Sequence, residues 1–544
     1  MKELDGILFS RMIGSGAASL RMHAGEINDL NVFPIPDGDT GDNMLLTVEG
    51  GVLCGEEVSE LLSETAGRVS SGMLLSARGN SGVILSQFFE GIKRGFDGLP
   101  SADATELGEA FRQGVTQAYG SVMTPAEGTI LTVMREATEY ACAARGDTVE
   151  RFLSDFIDEA RRSLARTPEL LPVLKQAGVV DSGGAGLIYI VCGMLRAARG
   201  EEVSRPISLT ERSREPDLDA FGEDSRLEFG YCTELLVRLQ NSKTDIEGFD
   251  PRVITDYLQT VGDSVVTVRS GSILKLHVHT MTPGAVLDFC QRYGEFLKVK
   301  IENMSLQHNN TLTEKGEADP KGERGRYGVV AVCSGDGLTE AFRERGADVI
   351  VEGGQSMNPS AEDFIRAFDR ANAEVIFVFP NNGNVVLTAK QAAGLYRKSD
   401  VRVIESTTVG EGYAALAMYD TTSDDPDAIA EELRAAMEGV VTAEISRCVR
   451  DASIDGRELH RGEYIGFVGK ELLAADDSRS TAVCETVDKV GFSRYDVCIL
   501  FCGREASESD TREIESYIRK SYKDKEVYVI DGGQEVYDYI LVAE

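Results

Sequence analysis

Residues 31–44 read NVFPIPDGDTGDNM, a proline- and glycine-rich acidic loop inside an otherwise helical region. Asp37 and Asp39 are separated by a single glycine, so a tight turn can bring both carboxylates to one point. The prolines before them disfavour a helix at this position. Mg²⁺ prefers hard oxygen ligands and commonly binds one or two carboxylates. The loop therefore predicts a Mg²⁺ site on Asp37 and Asp39.

Two further side chains of this loop are candidate ligands. Asn31 can add a neutral carbonyl oxygen, and Asp42 can add another carboxylate. The simpler interpretation is an acidic surface turn whose Asp and Asn side chains bond to their own backbone. An EF-hand calcium loop does not fit, because its ligand spacing and its final glutamate are missing.

Residues 1–200, which surround this loop, predict a helical fold. Apolar residues recur at helical spacing in residues 59–77, 106–123 and 149–167. Glycine-rich interruptions with the turn chemistry of helix-to-helix loops separate such segments. The interruptions are PDGDTGDN (36–43), ARGNSG (77–82), PAEGT (125–129) and DSGGAG (181–186).

Three of these interruptions also have the composition of phosphate-binding turns. Residues 78–82 precede the apolar helix VILSQFFEGI. Free N–H groups at a helix N-terminus bind phosphate, glycine lets the backbone approach closely, and Arg78 can balance phosphate charge. Residues 127–129 and 181–186 share this pattern, and ordinary capping or close helix packing explains all three turns as well. The chain has no GxxxxGK[ST] motif, which excludes a P-loop enzyme.

The chain changes character after the helical region. Residues 201–226 are polar and contain prolines, which predicts a linker. Residues 227–312 predict a small α+β domain, since short β-type runs alternate with helix-like stretches. Residues 313–326 predict a second linker. Residues 327–544 predict an α/β domain, because short continuous apolar runs of the buried parallel-strand type alternate with helical patterns.

Two polar turns follow apolar runs in this last region. They are GQSMNPS (354–360) and PNNGN (380–384). Ligands of open α/β sheets bind at the carboxyl ends of the strands, which makes both turns candidates for a site. Ordinary strand-to-helix connections are the simpler interpretation.

A pair of histidines in the middle region predicts a second metal site. His277 and His279 alternate along a strand-like run, so they share one face of it. Cys232 can supply a thiolate from a neighbouring strand, and this ligand set suits Zn²⁺. The fourth ligand stays open between water, Glu234 and His308. The alternative is two solvent-facing histidines near an unrelated cysteine.

Composition restricts the class of partner. The net charge of −34 argues against general nucleic-acid binding, which needs a basic face, and against unaided docking on an anionic membrane. No apolar run reaches ~18 residues, so we expect no transmembrane helix. The N-terminal residues lack the pattern of a signal peptide, so we expect a cytoplasmic protein.

The glycine-rich loops occur in the order and approximate spacing of one family. The N-terminal region resembles the nucleotide-binding subunit of dihydroxyacetone kinases, and the whole chain resembles the catalytic subunit of bacterial fatty acid kinase. The most specific stretches are NVFPIPDGDTGDNM, ARGNSGVILSQ, GYCTE, LKLHVHT and GQSMNPS. The resemblance implies an all-α helical barrel at residues 1–200 and a DegV-like α/β fold at residues 327–544.

The resemblance also implies that the helical region binds ATP with two Mg²⁺ ions on Asp37 and Asp39, with Asn31 as a weaker ligand. Asp42 stands where the family is expected to have threonine, which leaves its role open. The nucleotide pocket would be completed by residues of the four loops. These residues are Thr40, Gly41, Asn43, Arg78, Gly79, Asn80, Ser81, Gly82, Gly128, Thr129, Asp181, Gly183 and Gly184.

The same resemblance implies one Zn²⁺ on Cys232, His277 and His279, a homodimer, and a fatty-acid-carrying DegV-like partner docked by residues 327–544. The implied reaction is phosphoryl transfer from ATP to the carboxylate of a fatty acid presented by that carrier, giving an acyl phosphate. A kinase of dihydroxyacetone or another small polyol is one alternative. A non-enzymatic nucleotide-sensing scaffold is the other.

Overall fold

A computed structural model describes most of the chain. The described residues are 3–31, 38–144, 146–201, 231–240, 242–244, 246, 249–250, 252–270, 272–303, 324–354, 358–420, 422–448, 451–454 and 457–544. Some residues in the strands of the middle region are described by their backbone alone.

The N-terminal region is helical, as the apolar periodicity predicts. Its helices are α1 (Gly6–Leu30), α2 (Thr40–Gly50), α3 (Leu62–Ser76), α4 (Gly79–Gly95), α5 (Ala104–Gly120), α6 (Ile130–Ala144), α7 (Val149–Leu170), α8 (Pro172–Ala177) and α9 (Ser182–Ala198). Side-chain caps fix several starts: Asp5 accepts the N–H of Leu8 at α1, and Asp103 forms a capping box with Glu106 at α5. Such caps satisfy backbone donors that a helix cannot satisfy internally.

The apolar faces of these helices meet in one core. Phe88 of α4, Phe111 of α5, and Phe152 and Phe156 of α7 are fully buried and pack edge to face with Phe111 at the centre. Each such pair adds about 0.5–1.5 kcal/mol beyond the burial of apolar area. This core holds the helices rigidly enough to position the loops at their ends.

The middle region is a small α+β fold. Its strands are β1 (Tyr231–Leu239), β2 (Gly262–Ser270), β3 (Ile273–Thr280) and β4 (Gly294–Asn303), and its helices are α10 (Arg252–Val261) and α11 (Pro283–Cys290). The sheet is antiparallel with the order β2-β3-β1-β4. Alternate strand residues such as Leu235, Leu276 and Val278 are buried together with Ile254 and Val286 of the helices. The β-type residues that end at the histidine pair thus form two antiparallel strands, β2 and β3.

The C-terminal region begins with four parallel strands. These are β5 (Gly325–Cys333), β6 (Val349–Glu352), β7 (Ala373–Phe379) and β8 (Asp400–Val403), in the order β6-β5-β7-β8. Helices α12 (Asp336–Glu344), α13 (Ala361–Ala371) and α14 (Val386–Leu395) connect them. Both faces of this sheet are apolar and buried, which is why its strands have continuous apolar sequences.

A second, mixed sheet follows, with the order β13-β12-β9-β16-β14-β15. Its strands are β9 (Val441–Arg447), β12 (Tyr464–Val468), β13 (Glu471–Asp476), β14 (Val497–Cys502), β15 (Glu526–Asp531) and β16 (Tyr539–Ala543). The short pair β10 (Ala452–Ile454) and β11 (Arg457–Leu459) lies apart from it. The remaining helices are α15 (Val409–Ala417), α16 (Pro426–Met437), α17 (Arg479–Val490) and α18 (Glu508–Ser521).

The helical and α/β regions form one compact unit, which comprises residues 1–207 and 323–544, and residues 208–322 form another. The predicted linker 201–226 and most of the predicted linker 313–326 lie outside the described residues. Strand β5 begins at Gly325, inside the second predicted linker. Among the described helices, none is long and apolar enough to cross a membrane.

Candidate functional site

The N-termini of four helices in the helical region lie next to one another. Ser182 at the start of α9 donates to Thr40 Oγ1 at the start of α2, over 3.3 Å. Asn43 in the first turn of α2 lies beside Gly79, the first residue of α4. Asp181, which caps α9, accepts a hydrogen bond from the backbone N–H of Ile130, the first residue of α6. The start of α4 therefore lies beside that of α2, the start of α2 beside that of α9, and the start of α9 beside that of α6. The positive ends of helix dipoles favour an anion.

The starts of α2 and α4 are not capped by their own N-cap side chains, unlike the start of α9. At α2, Asn28 Oδ1 accepts the N–H of Gly41 over 2.7 Å instead. Asp39 is the N-cap residue of α2 and Arg78 that of α4, and neither side chain bonds to the turn that follows it. At α9, by contrast, Asp181 Oδ2 accepts the N–H of Gly184 over 2.7 Å. An uncapped helix start leaves N–H groups for a ligand. This applies to α4, whose first turn contains the predicted residues Asn80, Ser81 and Gly82.

Asp39 is the buried carboxylate at the centre of this arrangement. Its residue is 8% exposed, and its Oδ2 accepts a hydrogen bond from Asn358 Nδ2 over 2.5 Å. Removing a carboxylate from water carries a large free-energy cost unless a partner charge or hydrogen bonds offset it. Asp39 is therefore well placed to bind a divalent cation. Asp37 lies outside the described residues.

Gly79 brings the start of α4 unusually close to the side chains of Asn43 and Asn358. Its φ of +57° lies in the left-handed region, and a Cβ there would lie 2.7 Å from Asn43 Nδ2 and 3.3 Å from Asn358 Nδ2. Only glycine combines that backbone conformation with so close an approach. This close packing explains why the first glycine of ARGNSG, at position 79, is needed.

Arg78 contacts the C-terminal region. Its Nη1 donates to the backbone carbonyl of Asn358 over 2.9 Å, and its Nη2 lies 3.5 Å from Asp363 Oδ2. Burial opposes ionisation of Asp363, but hydrogen bonds from Ser360 and the charge of Arg78 hold the pKa of Asp363 below its usual value. The Arg78 guanidinium, which was predicted to balance phosphate charge, therefore links the helical region to the C-terminal α/β region.

The loops before α6 and α9 lie next to each other. Asp181 accepts from Ile130 and Gly184, yet burial still raises the pKa of its carboxyl group to about 6. Gly128 donates its N–H to Thr132 Oγ1 over 2.8 Å. The hydroxyl of Thr129 donates to the carbonyl of Ala126 over 2.8 Å, so it is bonded within its own loop.

The remaining predicted residues of the helical region lie around this centre. Asn31 ends α1, and its N–H donates to the carbonyl of Asn28 over 3.0 Å. Gly41 donates its N–H to Asn28 Oδ1 over 2.7 Å, and Asn28 Nδ2 donates to Asp42 Oδ2 over 2.9 Å. Asp42 is exposed, so its carboxylate serves as a surface partner of Asn28 in this structure. Gly183 and Gly184 are buried in the first turn of α9.

The predicted zinc ligands are described by their backbone only. Cys232 of β1 pairs with His279 of β3, and Glu234 pairs with His277. Their side chains lie outside the described part of the structure. Within that described part, no group of three His, Cys, Asp or Glu side chains is arranged to hold a metal ion.

Two asparagines of the C-terminal region contact the site. Neither was predicted to be a site residue from the sequence. Asn358 contacts Asp39, and Asn80 Nδ2 donates to Asn384 Oδ1 over 3.1 Å. Both asparagines lie in the polar turns that follow β6 and β7, which the sequence analysis singled out. Their contact with the helical region had no local signal, since Asn358 and Asp39 are 319 positions apart.

Two solved structures resemble parts of the chain. Dihydroxyacetone kinase from C. freundii, solved in complex with AMP-PNP and Mg²⁺, is 19% identical, with 35% of this chain and 34% of that chain covered and a TM-score of 0.28. The fatty acid kinase B3 protein of Streptococcus pneumoniae, loaded with linoleic acid, is 12% identical, with 40% of this chain and 99% of that chain covered and a TM-score of 0.29.

Sequence comparison covers the whole chain. Residues 34–196 match the DAK2 domain, residues 228–311 the FakA-like middle domain of fatty acid kinases, and residues 328–544 the FakA-like C-terminal domain. Protein YloV of Bacillus subtilis (strain 168) is 36% identical over 561 residues, which covers 100% of both chains. With a helical DAK2 region, a small middle region and an α/β C-terminal region, the chain belongs to the FakA-like family of fatty acid kinase proteins.

Proposed function

We propose that the chain is an ATP-dependent kinase whose acceptor is the carboxylate of a fatty acid, presented by a separate lipid-carrier protein. The observation that carries the proposal is the buried carboxylate of Asp39 at the start of α2, beside the starts of α4 and α9. Positive helix ends favour a polyphosphate, and a carboxylate beside them supplies a ligand for its cation. Family membership supports the fatty acid as the acceptor.

The residues present fit a nucleotide with two Mg²⁺ ions. Asp39 and Asp37 would hold the ions, with Asn31 as a further oxygen ligand, and the N–H groups at the start of α4 would bind the phosphates. The bound ions would neutralise charge on the transferred phosphoryl group. Because the helix starts are fixed by the core, their dipoles are oriented before the substrate arrives, which is the main source of such electrostatic stabilisation.

A carboxylate acceptor explains why no general base is needed near Asp39. A fatty acid is ionised at neutral pH, so its oxygen attacks without losing a proton. One P–O bond to the β-phosphate breaks, one P–O bond to the carboxylate forms, and ADP leaves. The task of the protein is then in-line positioning and charge neutralisation.

ATP turnover by the full chain tests the proposal. We expect ADP to form rapidly only when a DegV-like carrier loaded with fatty acid is added, because the carrier supplies the acceptor. The matched control is the same carrier stripped of lipid. Rapid turnover with dihydroxyacetone instead would support a polyol kinase, and nucleotide binding without turnover under any condition would support a nucleotide-sensing scaffold. Either result would contradict the proposal.

We further propose one Zn²⁺ in the middle region, on Cys232, His277 and His279. The pairing of Cys232 with His279 across β1 and β3 supports it, because paired residues on neighbouring antiparallel strands have adjacent Cβ positions. A structural role suits this site, since phosphoryl transfer already has its own metal site. Metal analysis of native protein is expected to find about one zinc per chain, lost in Cys232→Ala and retained in Cys290→Ala. Native protein without zinc would contradict the site.

A further inference from the structure

Asn358 joins the C-terminal α/β region to the candidate nucleotide site. It lies between β6 and α13, is 2% exposed, and donates through Nδ2 to Asp39. Two further hydrogen bonds link this segment to the residues just before α4. Ala361 donates its N–H to the carbonyl of Ala77 over 3.3 Å, and Arg78 donates to the carbonyl of Asn358.

The other atom of the Asn358 amide is unsatisfied. Asn358 Oδ1 is buried and has no hydrogen-bond partner among the described residues. A buried acceptor without a donor costs about 1–3 kcal/mol. This oxygen belongs to the same amide whose Nδ2 contacts Asp39 Oδ2, so a buried residue next to the Asp39 carboxylate carries an oxygen without a partner among the described residues. Such an oxygen suits a hard divalent cation or a water molecule in its shell.

We propose that Asn358 is a positioning residue of the nucleotide–Mg²⁺ site, which makes the C-terminal α/β region a structural part of that site. Its N–H group fixes the Asp39 carboxylate, and its carbonyl oxygen faces the shell of the cation that Asp39 binds. This inference rests on the proposed function. It goes beyond that function because it assigns part of the phosphoryl-transfer machinery to the region expected to dock the carrier.

The competing explanation is that Asn358 is only a tether, a residue that links the two regions and has no role at the metal site. In that case substitution of Asn358 would weaken only the packing between the two regions. The two explanations differ in their dependence on Mg²⁺. A side chain in the shell of the cation changes how tightly the cation binds, whereas a tether does not.

Asn358→Asp in the full chain separates them. The substitution keeps the shape of the side chain but places a second carboxylate against Asp39, so we expect a lower Tm than wild type in EDTA. Mg²⁺ with ADP should relieve the repulsion. The Mg²⁺ concentration that gives half of the Tm rise is expected to be about tenfold lower than for wild type, because the site gains a charged ligand. Asn358→Ala, which loses both oxygen and donor, is expected to need about tenfold more Mg²⁺ than wild type.

Ser360→Ala is the matched control. Ser360 forms the capping box of α13 with Asp363 and lies two positions from Asn358, so its loss should lower Tm without changing the Mg²⁺ response. If both Asn358 variants have the wild-type Mg²⁺ response, the inference is wrong and Asn358 is a tether. If wild type itself shows no Mg²⁺-dependent response to nucleotide, the proposed function fails instead.

Discussion

Replacing Asp39 with asparagine is expected to reduce ATP-dependent phosphoryl transfer by about 10³-fold. The substitution preserves the shape of the side chain, and Asn358 can still donate to its remaining oxygen. It removes the negative charge that would hold the cation beside the starts of α2, α4 and α9, and it leaves the surrounding packing as it is. Initial rates of ADP formation with the loaded carrier measure the loss.

Asp42→Asn is the control for this substitution. Asp42 lies in the first turn of the same helix, yet it is exposed and bonded to Asn28. We expect a change in rate of no more than about threefold, since exposed charges of this kind contribute little. Thermal unfolding should show both variants folded. A near-wild-type rate for Asp39→Asn would remove Asp39 from the mechanism.

Replacing Gly79 with alanine is expected to weaken nucleotide binding by about 10²-fold, because a displacement of roughly 1 Å at the phosphate-binding turn is enough for such a loss. The added Cβ would lie 2.7 Å from Asn43 Nδ2, so the Asn43 side chain or the start of α4 must shift. The left-handed backbone at this position adds a cost of about 1–2 kcal/mol for any residue with a Cβ. Titration with a fluorescent ADP analogue measures the affinity.

Gly98→Ala provides the same backbone change without the clash. Gly98 has a φ of +73°, and a Cβ there would meet nothing within 4 Å. Both variants should therefore lose stability through the left-handed conformation, but only Gly79→Ala should lose nucleotide affinity. Equal affinities for the two variants would show that the close approach of α4 to α2 plays no part in binding.

Local sequence patterns predicted much of the fold. The continuous apolar runs before the polar turns became the parallel strands β5, β6, β7 and β8, because strands buried on both faces need apolar side chains at every position. Of the glycine-rich interruptions, residues 125–129 precede α6, whereas residues 40–43, 79–82 and 182–186 form the first turns of α2, α4 and α9.

The candidate site was predicted in its helical half only. The family resemblance implied Thr40, Asn43, Gly79 and Asp181, and the structure places the start of α2 beside those of α4 and α9. Asn358 was not identified, because a polar residue in a strand-to-helix turn has the same local sequence whether it faces solvent or another domain. The sequence of a turn does not indicate which surface will pack against it in the folded protein.

Local sequence encodes the helical, α+β and α/β character of the three regions and the composition of the acidic and glycine-rich loops, because periodicity and turn chemistry act over a few neighbouring residues. The contact between Asn358 and Asp39, 319 positions apart, arises only in the folded protein. That contact depends on how two separately formed cores pack together. The free energy of such packing comes from whole buried surfaces, which no short stretch of sequence encodes.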